Sequence, residues 1–123
     1  MSGFDLVADT NILIYLTAGN QNIAEVTRSK NLIISIITEM EIRSWPSLTI
    51  ADIQTLKKLL SQCRVVGLND EIKERAIEIR RKTKLKLPDS IVCSTALFLG
   101  LPLLMADQQF KKVKDLDLLL INV

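Results

Sequence analysis

The chain has 123 residues, 48% of them hydrophobic, and a formal net charge of +2. That length is one domain, able to bury roughly two thirds of its unfolded surface. The apolar residues come in short runs, well below the roughly 18 in a row that a membrane helix needs, and the opening MSGFDLVAD lacks the basic start of a secretory signal. Histidine is absent. This excludes Ser-His and Cys-His catalysis, His-ligated zinc and the commonest general base. Cys63 and Cys93 are too few and too far apart for a zinc site or a disulfide framework. Both sit in apolar helical patterns and read as core thiols, which suits a reducing cytoplasm.

Residues 4–8 (FDLVA) read as a buried strand, and Asp9-Thr10-Asn11 opens a short helix containing ILIYL. Gly19-Asn20 is a turn before a second helix at residues 23–30, and residues 31–35 supply the strand NLIIS. Residues 36–44 are helical and stop before Pro46, because the residue preceding proline avoids the helical region. Over residues 51–63, Ile53, Leu56, Leu59, Leu60 and Cys63 recur at helical spacing. Residues 64–68 form a third strand, and Asn69 caps a helix whose buried stripe is Ile72, Ala76 and Ile79. Pro88 sits at the start of another helix, which ends at Gly100. Residues 103–105 are a fourth strand, Asp107 opens one helical turn, and residues 118–123 are the last strand. Apolar strands alternating with helices predict a three-layer α/β/α architecture around a parallel sheet of about five strands, as a single domain over residues 1–123.

Four acids stand where a strand gives way to a helix or one turn inside a helix: Asp9, Glu41, Asp89 and Asp107. In such sheets ligands bind beyond the carboxyl ends of the strands. Asp9 and Asp107 also suit helix N-caps, and Asp89 suits the first turn of its helix, so each alone has a structural explanation. Glu41 has Ile37, Met40, Ser44 and Trp45 as helical neighbours, whereas Glu39 is placed to pair with Arg43 four residues on. A carboxylate on a largely apolar face needs a compensating cation, which makes Glu41 the ligand and Glu39 the surface acid. Taken together, the four cannot all ionise at neutral pH without a counter-charge. Mg²⁺ or Mn²⁺ supplies one, since hard cations prefer oxygen ligands. Two such ions at roughly 4 Å separation would activate a water and stabilise the leaving oxygen of a phosphodiester. Basic residues cluster at 80–86 (RRKTKLK) and at Lys111, Lys112 and Lys114. A phosphate backbone would be drawn to them, although cations also suit a helix C-terminus.

The segments ADTNILIYL, TEMEI, LPDSIVCSTALFLGLPL and ADQQF resemble the signature segments of PIN-domain ribonucleases, in particular the short VapC-type toxins of type II toxin–antitoxin pairs. The resemblance runs over nearly the whole chain, in order. It implies a Mg²⁺- or Mn²⁺-dependent endoribonuclease with an acidic quartet at Asp9, Glu41, Asp89 and Asp107. Asn11 matches the family's polar residue after the first aspartate and would orient Asp9 or a water. Candidate RNA contacts are Arg80, Arg81, Lys82, Lys111 and Lys112. The resemblance further implies an RNA substrate, a homodimer and a cognate antitoxin that covers the active site, with no membrane attachment. Two features depart from the family pattern: Met105 replaces the threonine or serine two residues before the last aspartate, and Gln108 and Gln109 stand where another acid is often found. Other readings are an RNA-processing nuclease of the same fold and a PIN-like module that binds RNA or protein without cleaving. A receiver domain fits poorly, because the first strand ends in the single acid Asp9.

Overall fold

Five parallel strands form one sheet in the computed structural model, which describes residues 5–122. In chain order the elements are β1 (Asp5–Ala8), α1 (Thr10–Thr17), α2 (Gln21–Thr27), β2 (Asn31–Ser35), α3 (Ile36–Arg43), α4 (Ile50–Ser61), β3 (Arg64–Val66), α5 (Asp70–Thr83), α6 (Leu87–Leu99), β4 (Leu103–Met105), a short 3-10 helix (Gln108–Lys112) and β5 (Leu118–Leu120). The strand order is β3-β2-β1-β4-β5, so the chain winds outward on one side of β1 and then outward on the other. Val7 pairs with both Ile33 of β2 and Leu103 of β4, which makes β1 the axis of the sheet.

Strand periodicity sorts the core into two layers. Leu6, Ala8, Leu32, Ile34 and Leu104 face one side and pack with Ile12, Leu13, Ile23, Ile42 and Leu56 of the first four helices. Val7, Ile33, Leu103 and Met105 face the other side and pack with Ile79, Val92, Cys93, Ala96, Phe110 and Val113. Successive strand side chains point to opposite faces, and helices cover both, so the strands are apolar throughout and do not alternate with polar residues. Asn69 caps α5 by accepting from the Ile72 amide, and Gly100 ends α6 in the left-handed region at φ 66°. The three-layer α/β/α arrangement expected from the sequence is the one that forms.

Element ends differ from expectation by a residue or more in several places, three of them with a clear cause. The second helix starts at Gln21 because the Asn20 side chain accepts from the Ile23 amide, and it stops at Thr27, before Ser29 at φ 66°. β3 ends at Val66 because its last partner, Ser35, turns directly into α3. β5 ends at Leu120 for the same kind of reason, since β4 stops at its partner Met105. Phe4 and Val123, expected at the ends of strands, lie outside the described residues. Among the described residues no helix is long and apolar enough to cross a membrane.

One polar tie locks α6 onto α5. The fully buried Ser94 donates from Oγ to the Ile72 carbonyl at 2.7 Å, linking the middle of α6 to the first turn of α5. Ser94→Ala is expected to cost about 1 kcal/mol, read as a lower urea midpoint with an unchanged slope. A midpoint equal to the parent's would show that the tie contributes nothing.

Candidate active site

Winding that reverses direction at β1 leaves a crevice beyond the carboxyl ends of β1 and β4, where no crossover helix closes over the sheet. A cleft of about 470 Å³ lies there, and Asp9, Glu41, Asp89 and Asp107 all line it. Asp9 follows β1 directly and caps α1, its Oδ1 accepting from the Ile12 amide at 3.0 Å. Glu41 arrives on α3, which begins without a loop where β2 ends and whose first turn is capped by Ser35. Asp89 stands in the first turn of α6, next to Pro88. Asp107 follows β4 and caps the 3-10 helix, its Oδ1 accepting from the Gln109 amide at 2.8 Å. The capping roles weighed against Asp9 and Asp107 are therefore real, and they coexist with placement in the cleft.

Burial sets the electrostatics. Asp9 is only 8% exposed, and its pKa is pushed up from 3.8 to about 7. Desolvation is the main cause, with the charges of Asp89 and Glu41 adding to it, and together these outweigh the amide hydrogen bonds from Ile12 and Asn11. The half-buried Asp89 is also raised, first by desolvation and then by Glu41, with Lys86 pulling the other way and Asp107 adding a smaller push. Cys93 lies beneath the same acids. Burial and then Asp89 and Asp9 push its thiol up to about 12, so it is a core thiol and no nucleophile. Among the described residues no three acidic or cysteine side chains close into a preformed coordination sphere. The donors are nevertheless all hard oxygens, a set that suits a hard divalent cation.

A residue that the sequence reading passed over holds Glu41. The Thr10 hydroxyl, itself buried, donates to Glu41 Oε1 at 2.6 Å, and the buried Thr38 hydroxyl lies 3.4 Å from it. Asn11, the polar residue singled out beforehand, also lines the cleft but is exposed. The signal for Thr10 was present in the Asp-Thr-Asn string; the turn of α1 aims its side chain at α3. Lys84 and Lys86 line the cleft too. The expected Glu39–Arg43 ion pair does not form among the described residues. Both side chains instead border a shallow depression with Met40 and Pro88. Of the basic candidates, Arg81, Lys82, Lys111 and Lys112 are exposed. Arg80 commits one guanidinium nitrogen to the Leu85 carbonyl at 3.0 Å, bracing the turn between α5 and α6.

The raised pKa of Asp9 gives a signature in the metal-free protein. Below about pH 4 the carboxyl is protonated in both folded and unfolded chains. Between about pH 4 and pH 7 the unfolded chain ionises it while the folded chain keeps its proton, so stability falls with rising pH and levels off above about 7. The loss is on the order of 4 kcal/mol. Asp9→Asn should flatten this dependence in urea titrations run at a series of pH values; a slope retained in the variant would place its origin elsewhere.

The PIN domain family model matches residues 6–116. The fold is similar to that of a toxin–antitoxin complex from Klebsiella pneumoniae, at 28% identity and a TM-score of 0.79, covering 93% of this chain and 95% of that one. It is likewise similar to VapBC-1 from nontypeable Haemophilus influenzae, at 23% identity and a TM-score of 0.79, covering 94% of this chain and 97% of that one. VapBC2 from Rickettsia felis, solved bound to a DNA fragment from its promoter, aligns at 17% identity and a TM-score of 0.79, covering 96% of this chain and 99% of that one. The last two speak for the fold alone. No curated protein matches. With its family match spanning nearly the full length, the chain belongs to the PIN domain family.

Proposed function

We propose that this protein is a divalent-metal-dependent endoribonuclease and the toxin of a toxin–antitoxin pair. PIN domains are nucleases, hydrolases acting on nucleic acid. The observation that carries the reading for this chain is the gathering of Asp9, Glu41, Asp89 and Asp107 in one cleft at the switch point of the sheet, in a chain without histidine. Asp9, Glu41 and Asp89 would hold Mg²⁺ or Mn²⁺, with the exposed Asp107 completing the set. A cation held there supplies Lewis-acid charge and lowers the pKa of a coordinated water. The protein's own part is placement. The Ile12 amide fixes one oxygen of Asp9, Thr10 fixes one oxygen of Glu41, and the α6 backbone fixes Asp89. Lys84 and Lys86 at the rim bring positive charge toward a phosphodiester. Arg80, Arg81, Lys82, Lys111 and Lys112 extend that charge along the strand. The likeness to a toxin–antitoxin complex at 28% identity supports an antitoxin partner, and the proposal seats that partner over the cleft of a cytoplasmic homodimer. Exposed apolar side chains on and between α3 and α4 (Met40, Trp45, Ile50 and Ile53) offer surface for such chains to cover.

Purified protein should cleave RNA with Mg²⁺ or Mn²⁺ and stop when EDTA is added. Asp9→Asn should lose at least about a hundredfold in rate, in line with removing a group from the reacting centre. Cleavage by Asp9→Asn at the parent's rate would refute the proposal. Thr10→Val tests the placement argument separately. It should lower the rate or the metal affinity by roughly 10–100-fold, as removing the support of a ligand does, with Asn11→Ala losing less. If Asn11→Ala falls further than Thr10→Val, the hydroxyl is not what holds the site.

A further inference from the structure

A second recess, of about 320 Å³, adjoins the carboxylate cleft and is ringed by four cations, Arg75, Lys82, Lys112 and Lys114, against two acids, Glu78 and Asp115. In a chain whose net charge is only +2, this is a local concentration of positive charge. One acid is already satisfied, since Glu78 pairs with Lys82 at 2.9 Å. Among the described residues Arg75, Lys112 and Lys114 enter no ion pair.

The recess and the cleft share their walls. Thr83 lines the recess and the next residue, Lys84, lines the cleft. On the opposite wall Gln109 lines the cleft, and Lys112, three residues further along the 3-10 helix, lines the recess. At the rise of a 3-10 helix that separation is about 6 Å. The floor is common as well. Ile79 and Val113 from the recess pack in the same apolar cluster as Leu85 and Val92 from the cleft. A strand lying across the cleft and continuing over Lys84 therefore runs toward the rim that carries Arg75, Lys112 and Lys114.

We propose that this recess is a phosphate subsite for single-stranded RNA, holding a backbone phosphate to one side of the bond presented to the carboxylates. The inference rests on the nuclease reading for its choice of substrate. Its chemistry is that of positively charged grooves that track a nucleic-acid backbone without reading sequence. Arg75 is the new member; Lys114 joins Lys112 and Lys82 because the turn after the 3-10 helix brings it to the same rim.

The test reads binding without cleavage. Asp9→Asn protein in EDTA is titrated with a fluorescent oligouridylate of about 12 nucleotides over a range of salt concentrations. Adding Arg75→Ala with Lys114→Ala should weaken binding about tenfold at low salt and flatten the log–log salt dependence by about 0.7, the release expected for one lost single-strand phosphate contact. Lys57→Ala with Lys58→Ala on α4 removes the same charge elsewhere and should change neither quantity. Equal urea midpoints establish that both pairs are folded. The proposal is overturned if the recess pair binds RNA like its parent, including when it has lost a co-purified protein partner, or if both pairs weaken binding equally. A parent protein that fails to cut RNA would sink the nuclease reading alone, because affinity at the recess is measured independently of turnover.

Discussion

Repulsion among carboxylates drawn out of water at the head of β1 is the constraint on which the rest of this structure turns. Asp9 cannot move away, because its backbone leaves the central strand and its side chain caps α1. Glu41 cannot move away, because α3 starts at the last residue of β2 and its flank is pinned by Thr10. Asp89 is carried by the first turn of a helix whose other face is core. The fold thus buries these acids side by side, and the cost, first of desolvation and then of mutual charge, appears as the raised pKa of Asp9 and Asp89. Such an arrangement is unfavourable for stability and makes chemical sense where a cation repays it.

Much of this was legible in the sequence, for definite reasons. Strands buried on both faces leave uninterrupted apolar runs, so LVA, LIIS and LLM stood out. Caps and stops such as Asn69, Pro88 and Gly100 act within a few residues and read directly. The acidic positions were visible because Asp9 and Asp107 follow apolar strands, Asp89 opens a helix beside Pro88 and Glu41 interrupts an apolar helical face. What could not be read depends on the third dimension. Thr10 and Glu41 are 31 residues apart, and only the packing of α1 on α3 brings one hydroxyl to the other's carboxylate. The unformed Glu39–Arg43 pair has a related cause, since helical spacing permits a contact that side chains open to water, such as Arg43, gain little by making. Strand ends were overrun at β3 and β5 because a strand stops where its neighbour does.

The basic residues divide by role in a way composition does not reveal. Arg80 braces the turn into α6, Lys82 answers Glu78, and Lys86 moderates Asp89 from the rim of the cleft. Among the described residues Arg75, Lys112 and Lys114 enter no ion pair, although Arg75 helps to lower the pKa of Glu78. Positive charge therefore gathers in a recess near the acids.

The central claim is that the acid cleft is a divalent-cation site, and calorimetric titration of Mn²⁺ into the metal-free protein near pH 7 tests it most directly. The account predicts binding accompanied by proton release, since a cation displaces the proton that Asp9 partly retains at that pH, and loss of both the binding and the proton release in Asp9→Asn. Binding of equal strength in the variant, or none in the parent, would contradict it.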